Sequence, residues 1–227
     1  MAQTEYIFLG FPQKMNAPSP PAIPTIELSP FLTIDEDGAN VTMMRLTSHT
    51  GTHIDAPFHV IAGGLTITDL EPQDFVFENP IVIDLRLKDT EVVQPEHLEP
   101  FVEAGQEADL LLVRFGYGPV RRADPDHYSI KSPGFGVASA DYLRQNFPKL
   151  RGLGMDVPSL SCIEYLQETM AAHHVLLAGE GRRFIVIEDL NLEQDLTGLT
   201  KVIVAPLLVE SLDGAPVNVI GEVGIAE

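Results

Sequence analysis

Short runs of apolar and β-branched residues recur at 41–47, 81–85, 109–115, 184–187, 202–208 and 217–220 and predict strands, with G-L-G-M-D-V at 152–157 as a further candidate. Helical spacing is rarer. It predicts helices over 95–104, 139–146 and 163–177, the last with Ile163, Leu166, Met170 and Leu177 near one face. No repeat recurs and no linker splits the sequence. The pattern is that of a mixed α/β chain with more strand than helix. Residues 12–30 depart from it: Pro12, Pro18, Pro20, Pro21, Pro24 and Pro30 predict an extended arm rather than a helix. Residues 1–40 are therefore read as a proline-rich arm and entry strand, and 41–227 as the domain that follows.

One segment combines strand patterning with chemistry. In S-H-T-G-T-H-I-D-A-P-F-H-V, residues 48–60, the odd positions are His49, Gly51, His53, Asp55, Pro57 and His59; the even ones are Thr50, Thr52, Ile54, Ala56, Phe58 and Val60. Extended chain sends alternate side chains to opposite faces, so one face carries imidazoles and a carboxylate while the other feeds a core. A helix pairing His49 with His53 is opposed by Gly51, the threonines and Pro57. One straight strand is excluded as well, because at roughly 3.3 Å per residue His49 and His59 would lie about 33 Å apart. Gly51 and Pro57 are the expected bending points. A bend there lets His49, His53 and Asp55 converge, with His59 a little further off. Three such groups on one face favour a metal site over a hydrogen-bonded polar cluster.

Composition narrows the partners. A chain of 227 residues with 44% hydrophobic content can bury one sizeable core. Its 33 acidic against 14 basic residues give a net charge of -19, which repels nucleic acid and anionic membranes. The single cysteine, Cys162, excludes an intrachain disulfide framework and reads as a small buried side chain. The opening M-A-Q-T-E-Y-I-F-L-G-F lacks a basic region and makes a poor signal peptide. No apolar run reaches the roughly 18 residues of a membrane helix. A cytoplasmic setting is expected.

Further ligands must come from elsewhere in the chain. His173 and His174 fall late in the predicted helix 163–177, in A-A-H-H-V-L-L, and Glu188 ends the apolar run R-F-I-V-I-E-D-L, where a carboxylate needs a partner. His97 and His127 lie in polar surroundings and read as surface groups. Asp156 and Ser159, in G-M-D-V-P-S-L, either cap the helix starting near Cys162 or hydrogen-bond within the site.

H-T-G-T-H-I-D-A-P-F-H resembles the H-x-G-T-H-x-D-x-P-x-H signature of the cyclase-like metal-dependent hydrolases, a family that includes bacterial kynurenine formamidase and isatin hydrolase. D-G-A-N-V, P-I-V-I-D-L, D-L-L-L-V-R-F-G, G-L-G-M-D-V-P-S-L, A-H-H-V-L-L and I-V-I-E-D-L follow in the family's order around it. The resemblance implies a strand-rich single domain with a β-barrel-like or swivelling β/α core. It implies that His49, His53 and Asp55 bind metal, that His59 serves as acid/base, and that a later histidine and glutamate complete a second metal position. The Leu176-Leu177 pair places that histidine at His173, and the glutamate falls on Glu188. Departures exist: Phe8-Leu9-Gly10 replaces the family's Asp-Leu-Ser, residues 179–183 lengthen the spacing from His173 to Glu188, and the chain has no tryptophan to lie beside an aromatic substrate. Formylkynurenine itself is therefore not implied as substrate.

The expected function is hydrolysis of a C–N amide bond, in an arylformamide or a cyclic amide, by water activated at one or two divalent ions per chain, Zn²⁺ or Mn²⁺. The expected partners are a small-molecule amide and further copies of the chain, as a homodimer or larger, with the arm lying on a neighbour. Two alternatives stand beside it: a non-haem iron oxygenase built on His53, Asp55 and His173, and a non-catalytic metal-binding protein on the same scaffold.

Overall fold

The computed structural model describes residues 3–178 and 182–225. Its strands are β1 (Gln3–Phe8), β2 (Glu27–Leu32), β3 (Val41–Arg45), β4 (His53–Asp55), β5 (Val76–Phe77), β6 (Pro80–Asp84), β7 (Val92–Val93), β8 (Leu110–Arg114), β9 (Gly134–Phe135), β10 (Gly152–Met155), β11 (Ile185–Glu188), β12 (Leu199–Pro206) and β13 (Gly214–Ile225). The helices are α1 (Ile34–Asp37), α2 (Pro95–Leu98), α3 (Gly118–Ala123), α4 (Pro125–Lys131), α5 (Val137–Asn146) and α6 (Leu166–Leu177). The main sheet runs β5-β12-β13-β4-β11-β10-β8-β6, with β1 also on β13.

The sheet curls because its ends are chain neighbours. β5 and β6 stand at opposite ends of the path yet are separated only by Glu78 and Asn79, whose backbone N–H groups both donate to the Asp109 carboxylate at 2.9 Å. Arg151 pairs with the same carboxylate at 3.0 Å and stacks on Phe77. The result is a nearly closed barrel, the strand-rich single domain expected.

β6, β8, β10 and β11 are parallel neighbours, with α3, α4 and α5 crossing between β8 and β10 and α6 between β10 and β11. Strands covered on both faces need apolar residues at every position. In L-L-L-V, Leu110 and Leu112 point into the barrel beside Ile54, Ile185 and Ile187, while Leu111 and Val113 join the layer under the helices with Val186 and Leu176. β4 pairs antiparallel with β11 and with the start of β13, in the register Val186↔Asp55↔Gly214 and Glu188↔His53↔Pro216.

Several expectations are corrected. The predicted helix 95–104 is α2 followed by 3₁₀ turns at Glu99–Phe101 and Ala104–Gln106, because Pro100 cannot donate to a continuing helix. α6 buries Thr169, Ala172, His173, Leu176 and Leu177, whereas Leu166 and Met170 are exposed. Its face is set by the Thr169 hydroxyl, which bonds the backbone of Cys162 and Tyr165, and by His173. The predicted strand 202–208 starts earlier and ends at Pro206, leaving Leu207 and Leu208 exposed. β1 and the hairpin β2–β3 carry no alternation that marks a strand; 41–47 was anticipated, and within 1–40 only an entry strand without bounds. Between Gly10 and Ile26 the proline-rich segment has neither helix nor strand. Of the expected insertion 179–183, residues 179–181 lie outside the described residues. No helix among the described residues is long and apolar enough to cross a membrane.

Candidate metal centre

The histidine segment bends at the two points its sequence marks. Gly51 takes φ +63°, a left-handed backbone that favours glycine, and the Gln13 amide lies over its open face. After three residues of β4, Pro57 opens a 3₁₀ turn, Pro57–His59. Alternation holds through β4, with Ile54 and the following Ala56 in the barrel core. It fails at Phe58, which the turn rotates outward to 40% exposure instead of into the core. His59 swings back over the site by the same turn, its ring 4.2 Å from that of His49 and 5.6 Å from that of His173.

His53, Asp55 and Glu188 point from the barrel's outer face toward α6, which brings His173 down from above. All four are buried. Asp55 is central: Oδ1 lies 3.0 Å from His49 Nδ1 and 3.5 Å from His53 Nε2, and Oδ2 lies 3.6 Å from His173 Nε2. Glu188 Oε2 is 3.2 Å from His53 Nε2, and its Oε1 is 3.3 Å from His173 Nε2. His174 is exposed on the far side of the helix. His97 receives the Gln94 N–H at the start of α2, and His127 pairs with Asp89, both away from the site. The sequence reading therefore names six residues that the fold does bring together: His49, His53, Asp55, His59, His173 and Glu188.

Neighbouring groups aim these side chains. His53 Nδ1–H donates to Gly51 O at 2.7 Å, which leaves the Nε2 lone pair facing the carboxylates. Leu160 N–H donates to Glu188 Oε1 at 2.6 Å and the Ser159 hydroxyl to the same oxygen at 3.4 Å. Ser159 thus touches the site rather than capping a helix. Asp156 caps no helix either; it accepts the backbone N–H groups of Phe115, Gly116 and Tyr117, although burial pushes its carboxyl up. Cys162 is buried and unpaired by any disulfide.

Beyond Glu188, Asp189 holds a left-handed backbone at φ +56°. Its buried carboxylate takes both Arg121 Nε and Nη2 at 2.7 Å and the Tyr128 hydroxyl at 2.6 Å, and Arg121 stacks over Phe11.

The electrostatics call for a cation. Burial disfavours every charge here, yet the pairs override it: Asp55 and Glu188 are held below the usual carboxylate range by the imidazoles, and His53 and His173 are raised by the carboxylates. His49, with burial opposing and Asp55 and Asp213 favouring its charge, rises from 6.5 to about 9. Despite these close approaches, His53 Nε2 and both Asp55 oxygens make no hydrogen bond. Their lone pairs converge on shared space instead of on one another, and buried polar atoms left so are costly. A divalent ion fits this donor set, replacing the protons that the imidazoles otherwise hold. Single ligand atoms of His49, His53 and Asp55 lie within 4.8 Å of one another, as do those of Asp55, His59 and His173.

The cyclase family model ("Putative cyclase") matches residues 9–161, more than half of the chain. The chain belongs to the cyclase family. A kynurenine formamidase of Bacillus cereus is 28% identical over 221 residues, covering 97% of this chain and 98% of that one. A second, of Bacillus thuringiensis subsp. konkukian, is 30% identical over 187 residues, 82% of each. Isatin hydrolase A from Labrenzia aggregata superposes with a TM-score of 0.82 over 98% of this chain and 94% of its own, at 20% identity, and shares the fold. Membership makes the chain an enzyme of the amidohydrolase kind, as these relatives are by name.

One polar neighbour escaped the sequence reading. Asp213, in S-L-D-G-A-P just before β13, accepts His49 Nε2–H at 2.7 Å and His59 Nδ1–H at 3.4 Å on a single oxygen. Read alone, Asp-Gly before a strand is a turn. Only the pairing of β13 with β4 reveals it.

Proposed function

We propose that this enzyme uses a bound divalent ion, Zn²⁺ or Mn²⁺, to hydrolyse the C–N bond of a small arylformamide or cyclic amide. The supporting observation is the trio of buried, unpartnered atoms, His53 Nε2 with Asp55 Oδ1 and Oδ2. His49, His53 and Asp55 would hold one ion. Asp55, with His173 and Glu188, could hold a second, since its two oxygens face different imidazoles. Such an ion acidifies water and polarises a carbonyl. The chain's own part is to deliver and take protons: His59 stands at the partly open edge of the cleft, where it can protonate the departing nitrogen. α6 and the barrel wall exclude water from behind the ligands.

An iron oxygenase using His53, Asp55 and His173 would leave His49, His59 and Glu188 without a task, although all three crowd the same cleft; it is not favoured. A purely metal-binding role leaves His59 unexplained. Assembly belongs to the same proposal: the exposed apolar hairpin β2–β3 supports a homodimer or larger, with the arm against a neighbour. A cytoplasmic site of action agrees with the lone, buried thiol. The test is elemental analysis alongside a panel of N-formyl arylamines and isatin. One or two ions per chain with hydrolysis of a panel member is expected. Full activity in metal-free protein would overturn the reading.

A further inference from the structure

We infer that Asp213 is a positioning residue of this site, with one carboxylate oxygen setting both the tautomer of His49 and the aim of His59. The inference rests on the metal reading above and deepens it.

His49 must present a bare nitrogen to any ion beside Asp55. Its Nδ1 is the atom that faces Asp55 Oδ1, at 3.0 Å. A neutral imidazole carries its proton on one nitrogen, so Nδ1 is free only while the proton stays on Nε2. Asp213 Oδ2, 2.7 Å from Nε2, holds it there. His59 donates its Nδ1–H to the same oxygen at 3.4 Å, which leaves Nε2 as the nitrogen that exchanges protons with substrate. The two rings, 4.2 Å apart, are thereby referred to one anchor.

That anchor is built into the barrel. Ala56 N–H donates to Asp213 O at 2.9 Å and Ile67 N–H to Leu212 O at 3.0 Å, fixing the loop against both sides of the His59 turn. Gly214 follows because nothing larger fits: a Cβ there would lie 2.6 Å from Ile54 O and 3.0 Å from His49 Cε1. The Asp-Gly pair thus sets the His49 ring from two directions. Asp213 itself is one-third exposed, so its replacement need not disturb the core.

The experiment compares Asp213→Ala and Asp213→Asn with the wild type, reading Zn²⁺ affinity by chelator competition, ions bound at saturation, and kcat and KM separately. Asp213→Ala should weaken ion binding about 10–100-fold, the usual effect of losing a partner behind a ligand, with the saturating stoichiometry unchanged. Asp213→Asn keeps an acceptor oxygen for both rings; it should recover ion affinity and kcat to within a few-fold, at near-normal KM. Wild-type affinity and turnover in Asp213→Ala would overturn the assignment and leave the metal reading intact. So would loss of one ion per chain at saturation, which would make Asp213 a ligand. A wild type that binds neither Zn²⁺ nor Mn²⁺ would overturn the metal reading itself.

Discussion

The wall formed by β4, β11 and α6 and the hairpin formed by β2 and β3 are built on opposite economies. In the wall, polar groups are buried and apolar neighbours surround them. In the hairpin, Leu28, Phe31, Ile34, Val41, Met43 and Met44 face outward, Phe31 at 63% and Met44 at 58% exposure. An isolated two-stranded ribbon is marginal in water, and a patch of large apolar side chains is an interaction surface. The wall's buried polar atoms suit a cation, and the hairpin's exposed side chains suit an apolar cover.

The contrast breaks most sharply at the wall. Asp55→Ala should abolish ion binding and turnover together, because Asp55 faces three imidazoles. His59→Ala should keep its ion while turnover falls about 10²–10⁴-fold, the usual worth of a positioned acid/base. Metal content and rate, measured on the same samples, check both; a metal-free His59→Ala would make His59 a ligand.

Support behind the wall comes next. Arg121→Met would strand the buried Asp189 carboxylate next to Glu188 and should cost about 3–5 kcal/mol in a denaturant titration. Ion affinity should fall with it, since Glu188 loses its fixed neighbour.

Protons give a smaller, graded effect. In ion-free protein the folded His49 pKa of about 9 lies above the ordinary 6.5, so its contribution to stability is complete below 6.5 and is lost as pH rises through about 9. An ion needs the neutral ring, so apparent affinity should climb with pH up to about 9 and then level off. Titration of Zn²⁺ affinity against pH, and melting with and without chelator, should show these opposite slopes.

The hairpin should respond in the reverse manner. Phe31→Glu with Met43→Glu should leave ion content and monomer stability almost unchanged while reducing the mass in light scattering. A wild type of 24.8 kDa at micromolar concentration would remove the case for assembly.

The same contrast explains what could be read from the chain before folding. Residues 53–56 were legible because burial enforces alternation, and Gly51 and Pro57 because only special residues make those bends. The parallel strands were legible as apolar runs. β1 and β2 were not, since an exposed strand imposes no pattern. Leu166 and Met170 misled because they are apolar yet turned to solvent, while Thr169 and His173 took the inner face. Asp213 was hidden because a turn aspartate looks the same whether or not two imidazoles lie behind it.

The separation of His49 from Asp213, 164 positions along the chain, bears on when the site comes into being. Contacts of such long span close late, after the loops between them have given up their freedom. The barrel seam at β5 and β6 and the parallel strands can form from the middle of the chain, but the His49 pocket waits for β13 to dock on β4. Ion capture should therefore follow the last step of folding rather than guide the first, and should slow unfolding by holding that latest contact shut.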